Sequence, residues 1–296
     1  MSISVSKSIN WKNEEVKNRN QQFPKMPEDL PQLPFIACLI GSSGAGKTTT
    51  SHNLIAKYQE NDAFDRVCLF SPTGTPDEET GLIADPRLTN SKLRITDMYD
   101  KYSDDTLEQI MSEQKEKIVE YKEFLEDTKL WNKYLKDMND PDLEQQVLEM
   151  YERRGELPPA TDLQRFPSSL CIMDDMGDDE TIKKGGKSKL TNFVCRIRHA
   201  LFSFMSNYQA LAQCPATIRK QTNLWIIYKT QDVKYLKKLY EECCAADMSF
   251  KQFMNIFDML EHRHEFLMID MKAKDVKRKY RINFDKFLDV SKEKKE

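Results

Sequence analysis

The run IGSSGAGKTTT, Ile40 to Thr50, constrains this chain more than any other stretch. Gly41, Gly46, Lys47 and Thr48 complete the spacing G-x-x-x-x-G-K-T. Glycines let such a loop curl so that its N–H groups converge on phosphate oxygens. A lysine in the position of Lys47 reaches the β- and γ-phosphates, and a hydroxyl in the position of Thr48 faces Mg²⁺. Gly41, Ser42, Ser43, Gly44, Ala45, Gly46, Lys47, Thr48 and Thr49 are therefore expected to cradle the phosphates of ATP. The loop works only between a buried strand and a helix, and both are written beside it. FIACLIG, Phe35–Gly41, is apolar, while TTTSHNLIAKYQEN carries Leu54, Ile55 and Tyr58 at helical spacing. RVCLFSPT, Arg66–Thr73, is a second apolar strand. The alternation predicts a βαβ unit, hence an α/β fold.

The other segments organise around that unit. Residues 1–34 are polar, end in Pro24, Pro27, Pro31 and Pro34, and predict a flexible arm. Residues 35–290 predict a single ATPase domain, interrupted at about 98–155 by a long, glycine-poor helical insertion, and 291–296 predict a charged tail. In the insertion Leu107, Ile110, Met111, Ile118, Tyr121 and Leu125 share one helical face. The chain has 45 basic and 48 acidic residues, a net charge of -3, so any nucleic acid must be met by local patches. No run approaches the roughly 20 apolar residues that span a bilayer, so no transmembrane segment is expected. Seven cysteines, with Cys38, Cys68 and Cys171 inside apolar strands, predict reduced core thiols and a cytosolic setting.

Three ingredients point to hydrolysis. SLCIMDD, Ser169–Asp175, is an apolar strand ending in two carboxylates. Asp174, at the strand tip, is placed to hold Mg²⁺. Neighbours on a strand face opposite ways, so Asp175 must have a different task, and a bend at the strand end would aim it at the attacking water. Gln209, just after SFMSNY, is a candidate to touch the γ-phosphate and the water. Arg198 and Arg219 are candidates to neutralise transition-state charge, an arginine that in ring ATPases comes from the neighbouring subunit.

Two basic clusters are candidates for phosphate backbones. Lys183, Lys184, Lys187 and Lys189 flank a glycine pair just after the acids, and Lys272, Lys274, Lys277, Arg278, Lys279 and Arg281 lie near the end. Cys243-Cys244 with His262 and His264 fit no chelating spacing, so no zinc site is expected.

The ordered series IGSSGAGKTTT, RVCLFSPT, SLCIMDD and IRHALFSFMSNYQALAQCPATIRKQTN resembles the genome-packaging ATPases of large DNA viruses and virophages, the poxvirus type within the FtsK/HerA superfamily of P-loop NTPases. The resemblance spans about residues 33–285, and its most specific part runs from Arg198-His199 through Gln209 to Pro215 and Ile218-Arg219. It implies a RecA-like additional-strand core, in which another strand separates the P-loop strand from that of the Mg²⁺ acid. It further implies a homo-oligomeric ring that pumps double-stranded DNA into a preformed capsid at a portal-like vertex. The setting would be the host cytoplasm where virions assemble, or the virion itself. Carried over, Lys47 and Thr48 bind phosphate and Mg²⁺, Asp174 binds Mg²⁺, Asp175 activates water, Gln209 senses, and Arg198 or Arg219 acts in trans. Many members of the superfamily carry glutamate where Asp175 stands. Two other readings stand beside it: a nucleotide or small-molecule kinase with the same P-loop, against which the Asp174-Asp175 pair and the absence of an obvious Arg-rich lid speak, and an ATP-switched assembly factor that docks on a capsid through the helical insertion.

Overall fold

The P-loop strand β1 (Ile36–Ile40) lies in the middle of a nine-stranded sheet because all five of its residues are apolar and buried, which only a strand covered on both faces allows. The computed structural model describes residues 22–72, 98–177, 182 and 188–290. The other strands are β2 (Arg66–Phe70), β3 (Met98–Tyr99), β4 (Ser169–Met173), β5 (Phe202–Tyr208), β6 (Leu224–Tyr228), β7 (Phe266–Asp270), β8 (Tyr280–Ile282) and β9 (Lys286–Phe287). Their order is β3-β2-β4-β5-β1-β6-β7-β8-β9. From β3 to β6 all pairs are parallel, and from β6 to β9 all are antiparallel. Strand β5 separates β1 from β4, as the sequence resemblance implied.

The period of two along each strand sorts the core into two layers. Ala37 and Leu39 face helix α1 (Lys47–Gln59) and meet its Leu54, Ile55 and Tyr58. Ile36, Cys38 and Ile40 face the other layer. That layer contains helices α4 (Lys189–Arg196), α5 (Ala216–Gln221), α6 (Val233–Cys243) and α7 (Phe250–Asp258). Each fully buried Leu or Phe in these layers contributes roughly 1.5–3 kcal/mol. Cys38, Cys68 and Cys171 are buried free thiols, and Cys195 is exposed.

The insertion is a helical hairpin. Helix α2 (Asp104–Tyr134) is capped by Ser103, whose side chain accepts from Thr106 N–H at 3.0 Å. Its first turns bury Leu107, Ile110 and Ile118 on the sheet. Gln114 strengthens this: its Nε2 donates to the Pro167 carbonyl at 2.8 Å and its Oε1 accepts from Ser169 Oγ at 2.8 Å. Beyond Tyr121 the helix leaves the core, and α3 (Pro141–Arg154) folds back along it through Leu143, Val147 and Met150. Asp140 caps α3, Pro141 occupies its first turn, and Gly155 ends it at φ 79°. Arg153 and Arg154 both close on Asp127 across the hairpin. Burial alone would raise the Asp127 pKa, but the two arginines outweigh it and hold the carboxyl below its usual value.

The N-terminal stretch differs from the expected flexible arm from Phe23 onward. Phe23, Met26 and Leu33 are buried, and the Tyr58 hydroxyl donates to the Pro31 carbonyl at 2.8 Å. The anchors on the other side come from the second basic cluster. Lys272 Nζ donates to the Pro34 carbonyl, Arg281 to the Asp29 carbonyl, and Arg278 pairs with Glu28 at 2.9 Å. Lys279 and Tyr280 meet Asp247, so Lys272, Arg278, Lys279 and Arg281 of this cluster are engaged by the fold, while Lys274 and Lys277 are exposed. Among the described residues no helix is long and apolar enough to cross a membrane.

Candidate functional site: a P-loop with two carboxylates and a glutamine

The site forms where the parallel strands end. β1 runs out at Ile40, Gly41 N–H donates to the Tyr208 carbonyl at 3.2 Å, and the chain curls into α1. Two glycines are obligatory for separate reasons. Gly46 precedes the helix at φ 99°, a region closed to most side chains. A Cβ on Gly41 would sit 2.8 Å from the Tyr228 side chain, closer than real contacts allow. Tyr228 in turn holds the loop from below: its hydroxyl donates to the Gly46 carbonyl at 2.9 Å and lies 2.5 Å from Thr50 Oγ1. Burial pushes the Tyr228 phenol up to about 12, so it remains a donor at neutral pH.

Lys47 lies across the loop, its Nζ donating to the carbonyls of Gly41 at 2.9 Å and Ser42 at 3.1 Å. Burial lowers its pKa, and Asp175 and Asp174 act against that shift. The cation is thus partly desolvated, the condition in which an incoming phosphate gains most from it.

The two carboxylates take separate tasks. Asp174 is buried at the tip of β4, where its Oδ2 accepts from Thr48 Oγ1 at 3.1 Å and its Oδ1 from Asn207 Nδ2 at 2.8 Å. A hydroxyl and a carboxylate facing each other in this way form an oxygen donor set that fits a hard cation such as Mg²⁺. Asp175 is exposed and has φ 52°. The left-handed turn, tolerated by aspartate at a cost of about 1–2 kcal/mol, is the bend that swings the second carboxylate to the cleft side. There its Oδ1 accepts from Gln209 Nε2 at 2.9 Å. Gln209 itself is clamped, because Gln213 Oε1 accepts from the backbone N–H groups of Gln209 at 2.9 Å and Ala210 at 3.2 Å.

The arginines separate cleanly. Arg219 is turned inward in this subunit: it pairs with Glu242 at 3.3 Å and its Nη1 is 3.4 Å from the Leu211 and Cys214 carbonyls. Arg198 is exposed, in the 3-10 turn Ile197–Ala200 before β5, at the end of the sheet opposite the P-loop. Of the DNA-contact candidates, Lys189 pairs with Glu108 at 2.8 Å, and Lys183, Lys184 and Lys187 lie outside the described residues.

Sequence reasoning missed four participants. Asn207 links Asp174 to Ser51, which its Nδ2 reaches at 3.1 Å; the only hint was a polar residue inside the apolar run SFMSNY. Tyr228 is the second. Arg263 and His264 are the others: Arg263 Nη2 donates to the Ser43 carbonyl at 2.8 Å, and His264 Nδ1 is 3.0 Å from the Ala45 carbonyl. They arrive from more than two hundred positions downstream, and no local pattern announces them.

No family model matches the chain, and no curated protein matches it. Solved structures do. One is the genome packaging NTPase B204 from Sulfolobus turreted icosahedral virus 2 in complex with AMP, at 12% identity and TM-score 0.49, covering 84% of this chain and 96% of that one. Another is the pCW3 conjugation coupling protein TcpA with ATPγS, at 14% identity and TM-score 0.45, covering 88% of this chain and 72% of that one. A third is EssC (ATPases 2 and 3) from Geobacillus thermodenitrificans, at 12% identity and TM-score 0.42, covering 69% of this chain and 33% of that one.

Proposed function

We propose that this chain is an ATP-driven motor that moves double-stranded viral DNA into a preformed capsid, working as a homo-oligomeric ring at the host cytoplasmic assembly site. Its ATPase domain spans 35–290 with the helical hairpin as an insertion. The observation that supports hydrolysis is the divided pair of acids: Asp174 bonded to Thr48, and Asp175 turned away from it onto Gln209. Lys47 and the loop N–H groups bind the phosphates. Mg²⁺, when bound by Thr48 and Asp174, neutralises charge on the phosphate oxygens. Asp175 orients the attacking water and accepts its proton. Gln209 reports the state of that carboxylate through Gln213 to the segment that ends at Cys214 and Arg219. The DNA and capsid parts of the reading are supported by the motif series from Arg198 to Arg219, and Arg198 is the arginine open to a neighbouring subunit.

The test is ATP hydrolysis by the full chain with and without double-stranded DNA. Stimulation by duplex DNA, lost in Lys47→Ala, is expected. An oligomeric preparation that binds ATP yet ignores every DNA, or that passes phosphate to a nucleoside monophosphate, overturns the motor in favour of a kinase or switch.

One observation favours capsid docking through the insertion as an added role. The hairpin surface exposes Leu135, Met138, Leu148 and Tyr151, all more than two-fifths accessible. Leu148→Glu with Tyr151→Glu is expected to abolish co-sedimentation with capsids while basal ATP hydrolysis stays unchanged; unchanged co-sedimentation removes the idea.

A further inference from the structure

A cavity of about 790 Å³ opens on the side of the P-loop away from Asp174, Asp175 and Gln209. One wall is the loop and the start of α1, including Lys47, Thr49 and Asn53. The other wall is remote in sequence: His262, His264, Glu265 and Phe266 where β7 begins, and Asn283-Phe284 just beyond β8. We infer that this wall is the nucleoside-binding half of the site, receiving the base and ribose of the nucleotide whose phosphates the P-loop holds. The inference rests on the ATP-binding reading above and deepens it.

Three observations carry it. The first is polarity. Among the described residues that line the cavity Lys47 is the only lysine or arginine, and it stands at the loop end; Arg263, beside the far wall, donates to the Ser43 carbonyl of the loop. The far wall offers two phenyl rings, two imidazoles, the Glu265 carboxylate and the Asn283 amide, which suit the nucleoside end of a nucleotide better than its phosphates. The Glu265 carboxylate is kept below its ordinary range by the backbone N–H groups of His262 and Glu261, so it remains an anion there.

The second is construction. Asn283 has φ 56°, which asparagine tolerates, and it is pinned to β7 from both sides: its N–H donates to the Phe266 carbonyl at 2.9 Å and its Oδ1 accepts from Phe266 N–H at 3.3 Å. The resulting turn sets Phe284 against Phe266, ring centroids 5.1 Å apart and edge-on, and Phe266 against Tyr228 at 5.4 Å. Tyr228 is the residue bonded to Gly46. A ladder of rings thus runs from under the P-loop to a half-buried Phe284 at the cavity, a rigid surface for a flat base.

The third is direction. The acids and Gln209 come from β4 and β5 on one flank of β1, and the cavity wall comes from β7 and β8 on the other. A triphosphate whose γ-end points at Asp175 has its nucleoside pointing at Phe284.

The experiment compares ATP with inorganic tripolyphosphate, both titrated with Mg²⁺ into the full chain by calorimetry. Phe284→Ala is expected to weaken ATP binding by about tenfold, the scale of one lost base–aromatic stack, and to leave tripolyphosphate binding within twofold. Because Phe284 also packs on Phe266, the exposed His262→Ala is run beside it; it is expected to weaken ATP about threefold with tripolyphosphate unchanged. Equal losses on both ligands, or no loss on ATP in either variant, overturn the inference. A wild-type chain that binds tripolyphosphate as tightly as ATP also overturns it. A wild-type chain that binds neither defeats the ATPase reading itself, a result distinct from these.

Discussion

The two flanks of β1 solve different problems with different sequence signals. On the β5–β4 flank, functional groups sit at the ends of parallel strands that the sequence announces: apolar runs stop at Asp174 and just before Gln209, and each polar tip falls at the same edge. On the β6–β9 flank the chain reverses direction, so the groups that reach the loop are those at the beginning of β7 and the end of β8. The first flank is tuned for charge, with two carboxylates near a partly buried ammonium. The second is tuned for shape, with edge-on and tilted ring contacts and a buried arginine that locks the N-terminal stretch. A parallel edge concentrates chemistry because every strand delivers its C-terminal end to one line. An antiparallel extension can only bring it back through turns.

Substitutions should split along that division. The largest effect is expected at the shared loop: Lys47→Ala should lower ATP turnover by about 10³-fold, measured by phosphate release. Because burial lowers the Lys47 pKa, the folded chain disfavours this cation, and removing it should leave urea stability unchanged or slightly raised. A large loss of stability would make Lys47 a structural clamp for Gly41 and Ser42.

Next, Asp175→Asn should cut turnover by about 10²-fold with nucleotide affinity kept, since asparagine retains an oxygen for Gln209. Asp174→Asn should instead weaken Mg²⁺-dependent nucleotide binding. Identical losses of binding in both variants would break the separation of the two acids.

On the other flank Arg281→Ala should cost about 2 kcal/mol in urea unfolding, through lost packing and unpaired carbonyls of Asp29 and Arg278, with turnover per folded molecule preserved. A loss of turnover without a loss of stability would move Arg281 from the frame to the chemistry. The smallest effect is expected for Arg278→Ala, whose partner Glu28 is exposed: within about 0.5 kcal/mol in stability, and no change in duplex DNA affinity. A fall of about one in the slope of log affinity against log salt would restore this cluster as a DNA surface.

Legibility followed the same boundary. The phosphate loop, the acid at the tip of β4, the glutamine after β5 and the helical insertion were all readable, because each depends on a local run and its period. The bend at Asp175 was anticipated only as a requirement; the φ of 52° shows how it is met. In the second basic cluster a row of charges in sequence did not say which carbonyl or carboxylate each would find. Here Pro34, Glu28, Asp29 and Asp247 engage Lys272, Arg278, Arg281 and Lys279, and Lys274 and Lys277 stay exposed. Arg219 looked as free as Arg198 until Glu242, on α6, came against it.

By itself the sequence determined the βαβ core, the P-loop pattern of Gly41–Thr48, and the residue types gathered at the ends of the parallel strands, since glycine torsions, strand periodicity and a carboxylate at a strand end are local properties. Only the tertiary structure decided that Asn207 bonds Asp174, that Arg219 turns inward, and that His262, His264 and Phe284 stand beside the P-loop. Those contacts join residues separated by as many as 219 positions, and they exist only because strand order places β5 and β6 on either side of β1 and folds β7 and β8 back to its end.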